Sequence, residues 1–257
     1  MNIISTLFKQ NDSEFISDKF GIDYTPIDVD LHKDSNTLLN IFLQWTPEQE
    51  VVTLPQRTFY INFGKRLIDI VISGLVLIFI LSWLIPILGV LILIESKGPV
   101  LFIQTRSGRK GKPFHCLKIR TMLHVNETKK TFKQTDFDDK RVTSIGKFLR
   151  RTNIDEMPQF INVLLGHMSL VGPRPHAVPH DALHWASPAY RERYWVRPGI
   201  TGLAQIRGSR GATNLTQQME HRIRYDHLYI TRQTFLLDMK IIFKTINLTL
   251  KGDSNAW

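Results

Sequence analysis

The chain of 257 residues has one cysteine, Cys116, and lacks several common motifs. A single thiol excludes an internal disulfide and any site built from several thiolates, which fits a reducing compartment. Residues 1–12 lack a basic start, a long apolar run and a small-residue cleavage site, so we expect no secretory signal there. There is no Walker-type glycine loop and no dinucleotide fingerprint, and the nine histidines lack metal-ligand spacing. The sequence therefore excludes P-loop and dinucleotide-binding proteins, and it excludes a metal site built from histidines.

Charge is abundant but unevenly placed. The net charge is +10, residues 1–64 carry −5, and the remainder therefore carries +15. Such a basic body attracts anionic lipid headgroups, phosphorylated substrates or nucleic acid. Aromatic residues are not interleaved with the basic stretches as they are in grooves for single-stranded nucleic acid. We therefore expect no nucleic-acid partner.

A long apolar segment occupies residues 70–94, with no charge between Asp69 and Glu95. Its 25 residues exceed the roughly 20 that cross a bilayer as a helix. Soluble helices are seldom apolar on every face over this length. The segment therefore predicts membrane insertion.

The membrane segment contains Pro86, with Ser82 one turn earlier. Proline removes the backbone hydrogen bond to residue i−4, so a break between two half-helices is expected at Ser82 and Pro86. Basic residues flank the segment on both sides, and basic flanks mark the cytoplasmic side. A re-entrant hairpin keeps both flanks inside and is favoured over a single span.

These patterns divide the chain into three parts. An acidic accessory segment covers residues 1–58, a membrane hairpin 59–97, and a cytosolic catalytic domain at the membrane interface 98–257. Alternating residues around a glycine-rich turn predict a β-hairpin over 100–120. Helices are predicted near 142–151, 160–165, 217–230 and 236–250, a turn-rich loop at 197–202, and the 236–250 helix is either a core helix or an interfacial one. The predicted fold class is α+β, mostly helical.

Two adjacent carboxylates, Asp155 and Glu156, follow Arg150 and Arg151. One interpretation is a helix cap, with Thr152 as N-cap and Asp155 three residues later. The other is chemical, because arginine forks match phosphate oxygens and Arg174 follows in a Gly-Pro-Arg-Pro turn.

The chemical interpretation also draws on the predicted hairpin. Lys118 and Arg120 end a strand that could point the same way. Mg²⁺ uses one or two carboxylates plus substrate phosphates, and a carboxylate can attack phosphorus. The pattern therefore fits phosphoryl transfer.

Taken together, the motifs resemble the bacterial sugar transferase family, the monotopic phosphoglycosyl transferases, over residues 62–250. The matching motifs are Lys65–Asp69, Gly98–Phe102, Lys118–Met122, Arg141–Thr143 with Gly146, Asp155–Gln159, Asn162–Leu164, Met168–Pro175, Arg197–Gly202 and Leu237–Ile242. The stretch from Arg207 to Ile230 looks closer to the subgroup that uses UDP-glucose or UDP-galactose.

The resemblance implies transfer of sugar-1-phosphate from a UDP-sugar to polyprenyl (undecaprenyl) phosphate, with release of UMP, at the start of exopolysaccharide, O-antigen or capsule assembly. Asp155 would be the nucleophile, and Glu156 would assist through Mg²⁺ or proton handling, so that both are candidate metal ligands. The residues implied for substrate or phosphate binding are Lys118, Arg120, Arg150, Arg174, Arg197 and Gln159.

The resemblance also implies a setting. The enzyme would lie on an anionic phospholipid membrane, at the cytoplasmic face of the bacterial inner membrane, and a homodimer is left open. The alternative is a non-catalytic membrane-attached scaffold or polyanion-binding protein. The acidic pair discriminates against that alternative, since a pure polyanion binder has no use for it.

Overall fold

The computed structural model describes residues 58–124, 139–178, 181, 184, 187–209 and 216–251. The predicted accessory segment lies outside the described residues, apart from its last residue, Thr58. The described part is mostly helical, with one small antiparallel β-hairpin and one long apolar helix, as the sequence predicts.

The long apolar helix, α1, runs from Tyr60 to Glu95 and is long and apolar enough to cross a membrane. The helical residues run without interruption through Ser82 and Pro86, so the predicted break between two half-helices stays a prediction. A π-helical turn, Leu77–Leu81, precedes Ser82, and the Ser82 hydroxyl donates to the Ile78 carbonyl at 2.6 Å. One missing proline amide is a local loss that a 36-residue helix tolerates.

The predicted hairpin is confirmed. Strand β1, Leu101–Ser107, pairs antiparallel with β2, Pro113–Ile119, with Leu101 opposite Ile119. Asn162 docks the next helical layer onto β2. Its Nδ2 donates to the His115 carbonyl at 2.7 Å, and its Oδ1 accepts from the Leu117 amide at 2.9 Å. This docking brings Lys118 toward the acidic pair.

The four predicted helices are present, with small shifts at their ends. The elements after β2 are α2 Ser144–Arg151, a 3₁₀ turn Ile154–Glu156, α3 Gln159–Leu164, β3 Ser169–Val171, α4 Pro188–Arg191 with a 3₁₀ turn Glu192–Trp195, β4 Gly199–Thr201, α5 Leu203–Ile206, α6 Thr216–Thr231 and α7 Phe235–Lys251.

The turn-rich loop predicted at 197–202 is partly wrong, since β4 lies within it and pairs parallel with β3. Glycine makes this approach possible. A Cβ on Gly199 would lie 2.1 Å from the Gly172 amide nitrogen, and one on Gly172 would lie 2.5 Å from the Arg197 carbonyl. Strands of three residues give no usable alternation in sequence, which explains the miss.

Both ends of α1 pack on the same folded body. Near its start, Ile68 and Ile72 contact the largest core cluster, which includes Val163, Met168 and Ile241. Near its end, Leu84, Leu88 and Ile92 join a second cluster with Ile119 and Leu149. Between these contacts α1 leaves large apolar side chains exposed, among them Ile78 and Phe79.

Candidate active site

A tight reversal of the chain presents the acidic pair. Helix α2 ends at Arg151, Asn153 adopts the left-handed conformation (φ 56°), and Asp155 and Glu156 follow in the 3₁₀ turn. Asparagine tolerates that conformation at the end of a helix better than most residues. Pro158 directly precedes α3, so the pair lies just outside that helix.

The capping interpretation of Thr152 and Asp155 is wrong. The Thr152 hydroxyl donates backward, to the carbonyls of Phe148 and Leu149 at 2.9 and 3.1 Å. The residue that caps α2 is Thr143, whose hydroxyl accepts from the Gly146 amide at 3.0 Å. Asp155 is therefore not held as a capping residue.

Helix α2 is fixed at both ends, and it carries Arg150. The carboxylate of Glu95 accepts from the Ser144 and Ile145 amides at 2.7 and 3.1 Å, which ties the end of α1 to the start of α2. A Cβ on Gly146 would lie 2.1 Å from the Thr121 carbonyl oxygen, so only glycine permits this contact. Nε of Arg150 donates to the Thr121 hydroxyl at 2.9 Å.

Glu156 is held by two cations. Its Oε1 accepts from Lys118 Nζ at 2.7 Å and from Arg174 Nη2 at 2.5 Å, and its Oε2 accepts from Arg174 Nη1 at 2.9 Å. This two-pronged guanidinium contact is the strong form of the pair. Burial opposes ionisation of Glu156, but Arg174 and Lys118 outweigh it and hold its pKa well below the usual range. Glu156 is a fixed anion.

Asp155 differs from its neighbour. Its side chain is 7% exposed, and among the described residues it has no hydrogen-bond or ion-pair partner. Burial raises the pKa of Asp155 to about 6, an effect that Lys118 opposes and Glu156 reinforces. Arg150 and Arg174 also lower it. Asp155 is thus a carboxylate inside a cationic frame, and its oxygens are uncommitted within the described part of the chain.

The other predicted site residues divide into two groups. Arg150 and Gln159 lie close to the pair: the charge of Asp155 acts on Arg150, and Gln159 is buried on the first turn of α3. The Gln159 Nε2 has no hydrogen-bond partner within the described part of the chain. These two residues join Lys118 and Arg174 around the acidic turn.

Arg120 and Arg197 are directed elsewhere. Arg120 donates to the carbonyls of Ser96 and Lys97, both at 2.7 Å, and so holds the end of α1. Arg197 donates to the Gly166 carbonyl at 3.1 Å, after α3. Strand β2 stops at Ile119, so the alternation that predicts a shared face for Lys118 and Arg120 ends before Arg120.

Two arginines that the sequence does not single out hold the segment that carries Arg174. Arg106 donates to the Pro175 carbonyl at 2.6 Å, and Arg193 donates to the Arg174 carbonyl at 2.7 Å. The signal was available in the sequence. Prolines 173 and 175 have no amide hydrogens, so this stretch is restricted as a strand and its carbonyls need donors from elsewhere.

A metal site made of protein ligands alone is not present in the described residues, where no three of His, Cys, Asp and Glu cluster suitably. The acidic pair is the donor set that remains. Mg²⁺ uses one or two carboxylates and takes other ligands from substrate phosphates and water. The uncommitted Asp155 carboxylate beside Glu156 fits that mode of binding.

Comparison with known proteins places this arrangement in a family. The profile of the family described as bacterial sugar transferase matches residues 60–252, and the chain belongs to that family. The match covers α1, the hairpin, the acidic turn and the segment with Arg174.

Two relatives carry the same printed name, UDP-glucose:undecaprenyl-phosphate glucose-1-phosphate transferase. The one from Klebsiella pneumoniae is 49% identical over 183 residues, which are 71% of this chain and 39% of that protein. The one from Caulobacter vibrioides is 43% identical over 213 residues, 81% of this chain and 79% of that protein.

A third relative, the exopolysaccharide production protein PSS of Rhizobium leguminosarum bv. phaseoli, is 43% identical over 186 residues, 71% of this chain and 92% of that protein. The chain thus spans well under half of the Klebsiella relative and most of the other two.

Proposed function

We propose that this protein transfers sugar-1-phosphate from a UDP-sugar to undecaprenyl phosphate and releases UMP. The names of the Klebsiella and Caulobacter relatives make UDP-glucose the first donor to test. The Rhizobium relative's name supports a place in exopolysaccharide production. The observation that carries the proposal is the contrast within the acidic pair: two cations bind Glu156, whereas no side chain of the described residues binds Asp155.

The reaction proceeds in two displacements at one phosphorus atom. A carboxylate oxygen of Asp155 attacks the β-phosphorus of the UDP-sugar, and the bond to the bridging oxygen breaks, so UMP leaves with that oxygen. A phosphate oxygen of the undecaprenyl phosphate then attacks the same phosphorus and displaces the Asp155 carboxylate. The product is undecaprenyl diphosphate-sugar, and the nucleophile is regenerated.

The surrounding residues have distinct parts in this scheme. Lys118 and Arg174 place positive charge beside the phosphorus centre, where charge develops in the transition state. Glu156 fixes both of them at 2.5–2.9 Å, so that they are oriented before substrate arrives. Arg150 adds a further cation near Asp155.

Mg²⁺ is the proposed cofactor, with Asp155 and Glu156 as its protein ligands. When bound it would neutralise part of the pyrophosphate charge of the donor.

We also propose that α1 enters and leaves the membrane on one side. Ile72 and Leu84 both pack on the folded body, and the helix rises about 18 Å over the twelve steps from one residue to the other. A hydrocarbon core is about 30 Å thick, so a helix held by one aqueous body at both points is too short to cross between them. A bend near the Leu77–Leu81 turn and Pro86 satisfies both contacts.

Helix α7 supports attachment at the interface. Leu236, Phe243, Ile246 and Leu250 are exposed along one face, between 51% and 82%. The opposite face is tied to the start of α1, because Asp238 accepts from Lys65 Nζ at 2.6 Å. An exposed apolar face beside the start of α1 is typical of a helix that lies in the headgroup region of a membrane. We place the catalytic domain on the cytoplasmic side.

The test of the function is a UMP-release screen of purified protein across UDP-sugars, with undecaprenyl phosphate and Mg²⁺. We expect release with a UDP-hexose, dependent on the lipid acceptor. No UMP from any UDP-sugar would overturn the proposal and favour a non-catalytic scaffold.

Topology is tested by labelling Gln10→Cys and Lys130→Cys in a Cys116→Ser background in intact cells. We expect both sites to be protected from an impermeant reagent. Labelling of one site alone from outside would indicate a single span.

A further inference from the structure

The main chain around Arg174 is held by donors from other segments of the chain, two of them side chains. Its carbonyls have three different donors: Pro173 accepts from the Gly199 amide at 2.9 Å, Arg174 from Arg193 Nη2 at 2.7 Å and Pro175 from Arg106 Nη1 at 2.6 Å. Guanidinium groups therefore hold the carbonyl of Arg174 and that of the next residue. A shift of this backbone would move the guanidinium of Arg174 away from Glu156.

Arg193 is fixed more firmly than an ordinary surface arginine. It is 4% exposed, its Nε donates to Asp226 at 2.7 Å, and its guanidinium carbon lies 5.0 Å from the centre of the Tyr190 ring. Asp226 is itself 2% exposed. The buried carboxylate and the aromatic ring leave Arg193 one orientation, and in that orientation Nη2 meets the Arg174 carbonyl.

A second chain of hydrogen bonds fixes His176, two residues after Arg174. Nε2 of His176 accepts from Arg222 at 2.8 Å, so Nδ1 carries the proton of the neutral ring. Nδ1 then donates to the Tyr190 hydroxyl at 2.7 Å, which donates to Asp181 at 2.6 Å. The 3.1 Å approach of Arg193 Nη1 to Nδ1 is accordingly a contact between two donors.

We propose that Arg193 is a positioning residue for Arg174: by holding the Arg174 carbonyl while bound to Asp226, it sets the position from which Arg174 meets Glu156 and the donor phosphates. This role rests on the proposed function, because Arg174 matters to turnover only if phosphate is handled there. Lysine at position 193 keeps the charge but cannot reach Asp226 and the Arg174 carbonyl with a planar fork.

The test is a double-mutant cycle on UMP release with Arg193→Lys, Arg174→Lys and the double variant. We expect Arg193→Lys to lower kcat by about 10- to 100-fold, the scale of a displacement of about 1 Å. In the Arg174→Lys background the same change should cost less than about threefold, since its target is gone. If the fold-losses in kcat of the two single variants multiply in the double variant, the two residues act independently and the proposal is wrong.

A matched control is Arg66→Lys. Arg66 also holds main-chain carbonyls, those of Val163 and Leu164 at 2.6 and 2.8 Å, but away from Arg174. The fold-loss in kcat caused by Arg66→Lys should be the same in the wild-type background and in the Arg174→Lys background. Coupling of equal size in the control would show that the cycle reports general loosening and would overturn the assignment.

A further measurement separates positioning from a purely structural effect, because it reports on the main chain at Arg174 directly.

Hydrogen–deuterium exchange of the peptide containing Arg174 decides the point even if no UDP-sugar is turned over. Faster exchange there in Arg193→Lys, and not in Arg66→Lys, supports positioning. Unchanged exchange rejects it. Absence of UMP release in the wild type would count against the proposed function alone.

Discussion

Two charge clusters meet at Arg174, one through its side chain and the other through its main chain. The dyad cluster is Lys118, Asp155, Glu156 and Arg174, and the backing cluster is His176, Asp181, Tyr190, Arg193, Arg222 and Asp226. In the backing cluster each aspartate has a partner: Asp226 accepts from Arg193, and Asp181 from Tyr190. In the dyad cluster Asp155 has none among the described residues.

The difference does not lie in pKa direction. Burial raises the pKa of Asp155, Asp181 and Asp226 alike. A raised pKa therefore marks burial, and burial serves structure as readily as catalysis. What distinguishes Asp155 is that its oxygens have no hydrogen-bond partner among the residues that the structure describes, while four charged side chains surround it. The comparison teaches that, in this part of the chain, the candidate nucleophile is identified by its missing hydrogen bonds.

The largest effect that the comparison predicts is at Asp155 itself. Asp155→Asn should lower UMP release by at least about a thousandfold, because an amide cannot form the covalent intermediate. It should not destabilise the fold. Turnover close to that of the wild type would end the nucleophile assignment.

The stability part of this prediction has a definite sign. The pKa of Asp155 rises from 3.8 to about 6 on folding, so the folded state prefers the protonated carboxyl. The cost of ionising it is absent below pH 3.8, grows as pH rises, and is complete above about pH 6, at about 3 kcal/mol. Asp155→Asn should therefore unfold at a higher temperature than the wild type at pH 8, and the increase should be smaller at pH 5.

The next effect is at Glu156, where the same exchange of acid for amide should damage the fold. Glu156→Gln removes the charge that Lys118 and Arg174 both contact in a partly buried site and leaves Asp155 as the carboxylate beside them, and losing hydrogen bonds between charged groups costs about 1.5–3 kcal/mol. Turnover should fall about 100-fold through disorder of Arg174. Thermal unfolding and UMP release measure the two losses.

Glu192→Gln is the matched control. Glu192 pairs with His227, but the two side chains are 26% and 43% exposed, and exposed pairs contribute about 0–1 kcal/mol. If both glutamine variants unfold at the same temperature, the contacts of Glu156 do not stabilise the fold more than an exposed ion pair does.

A third, smaller effect tests the backing cluster. Tyr190→Phe removes the hydroxyl between His176 and Asp181, which leaves both without that partner, at a cost of about 1–3 kcal/mol. The ring and its contact with Arg193 remain, so turnover should change by less than about threefold. A large loss of turnover with little loss of stability would mean that the backing cluster, like the dyad cluster, serves catalysis.

Local patterns foretold much of this molecule. Alternating residues around a basic, glycine-rich turn predicted the hairpin. The motifs predicted that Lys118, Arg150 and Arg174 lie near Asp155 and Glu156. Roles set by long-range contacts were missed. Arg120 has the same residue type as Arg150, but a strand end and the carbonyls of Ser96 and Lys97 decide where it points.

The membrane segment shows the same division. Its composition predicts insertion, whereas the break expected from Pro86 stays a prediction, because the helical residues run through that position. The contacts of Ile72 and Leu84 with one body come from residues far along the chain, such as Ile241 and Leu149. No local window contains them.

The last predicted effect is in the rate profile of the unmodified protein, about tenfold per pH unit on the acid side. Attack requires ionised Asp155, and burial raises its pKa to about 6 in the folded protein. The rate should therefore fall as pH drops through 6 and level off above it. Glu156 has a pKa well below its usual range and stays ionised throughout, so the acid limb should have unit slope. A slope of two would mean that both carboxylates titrate together, and the contrast between a fixed anion and an uncommitted one would no longer hold.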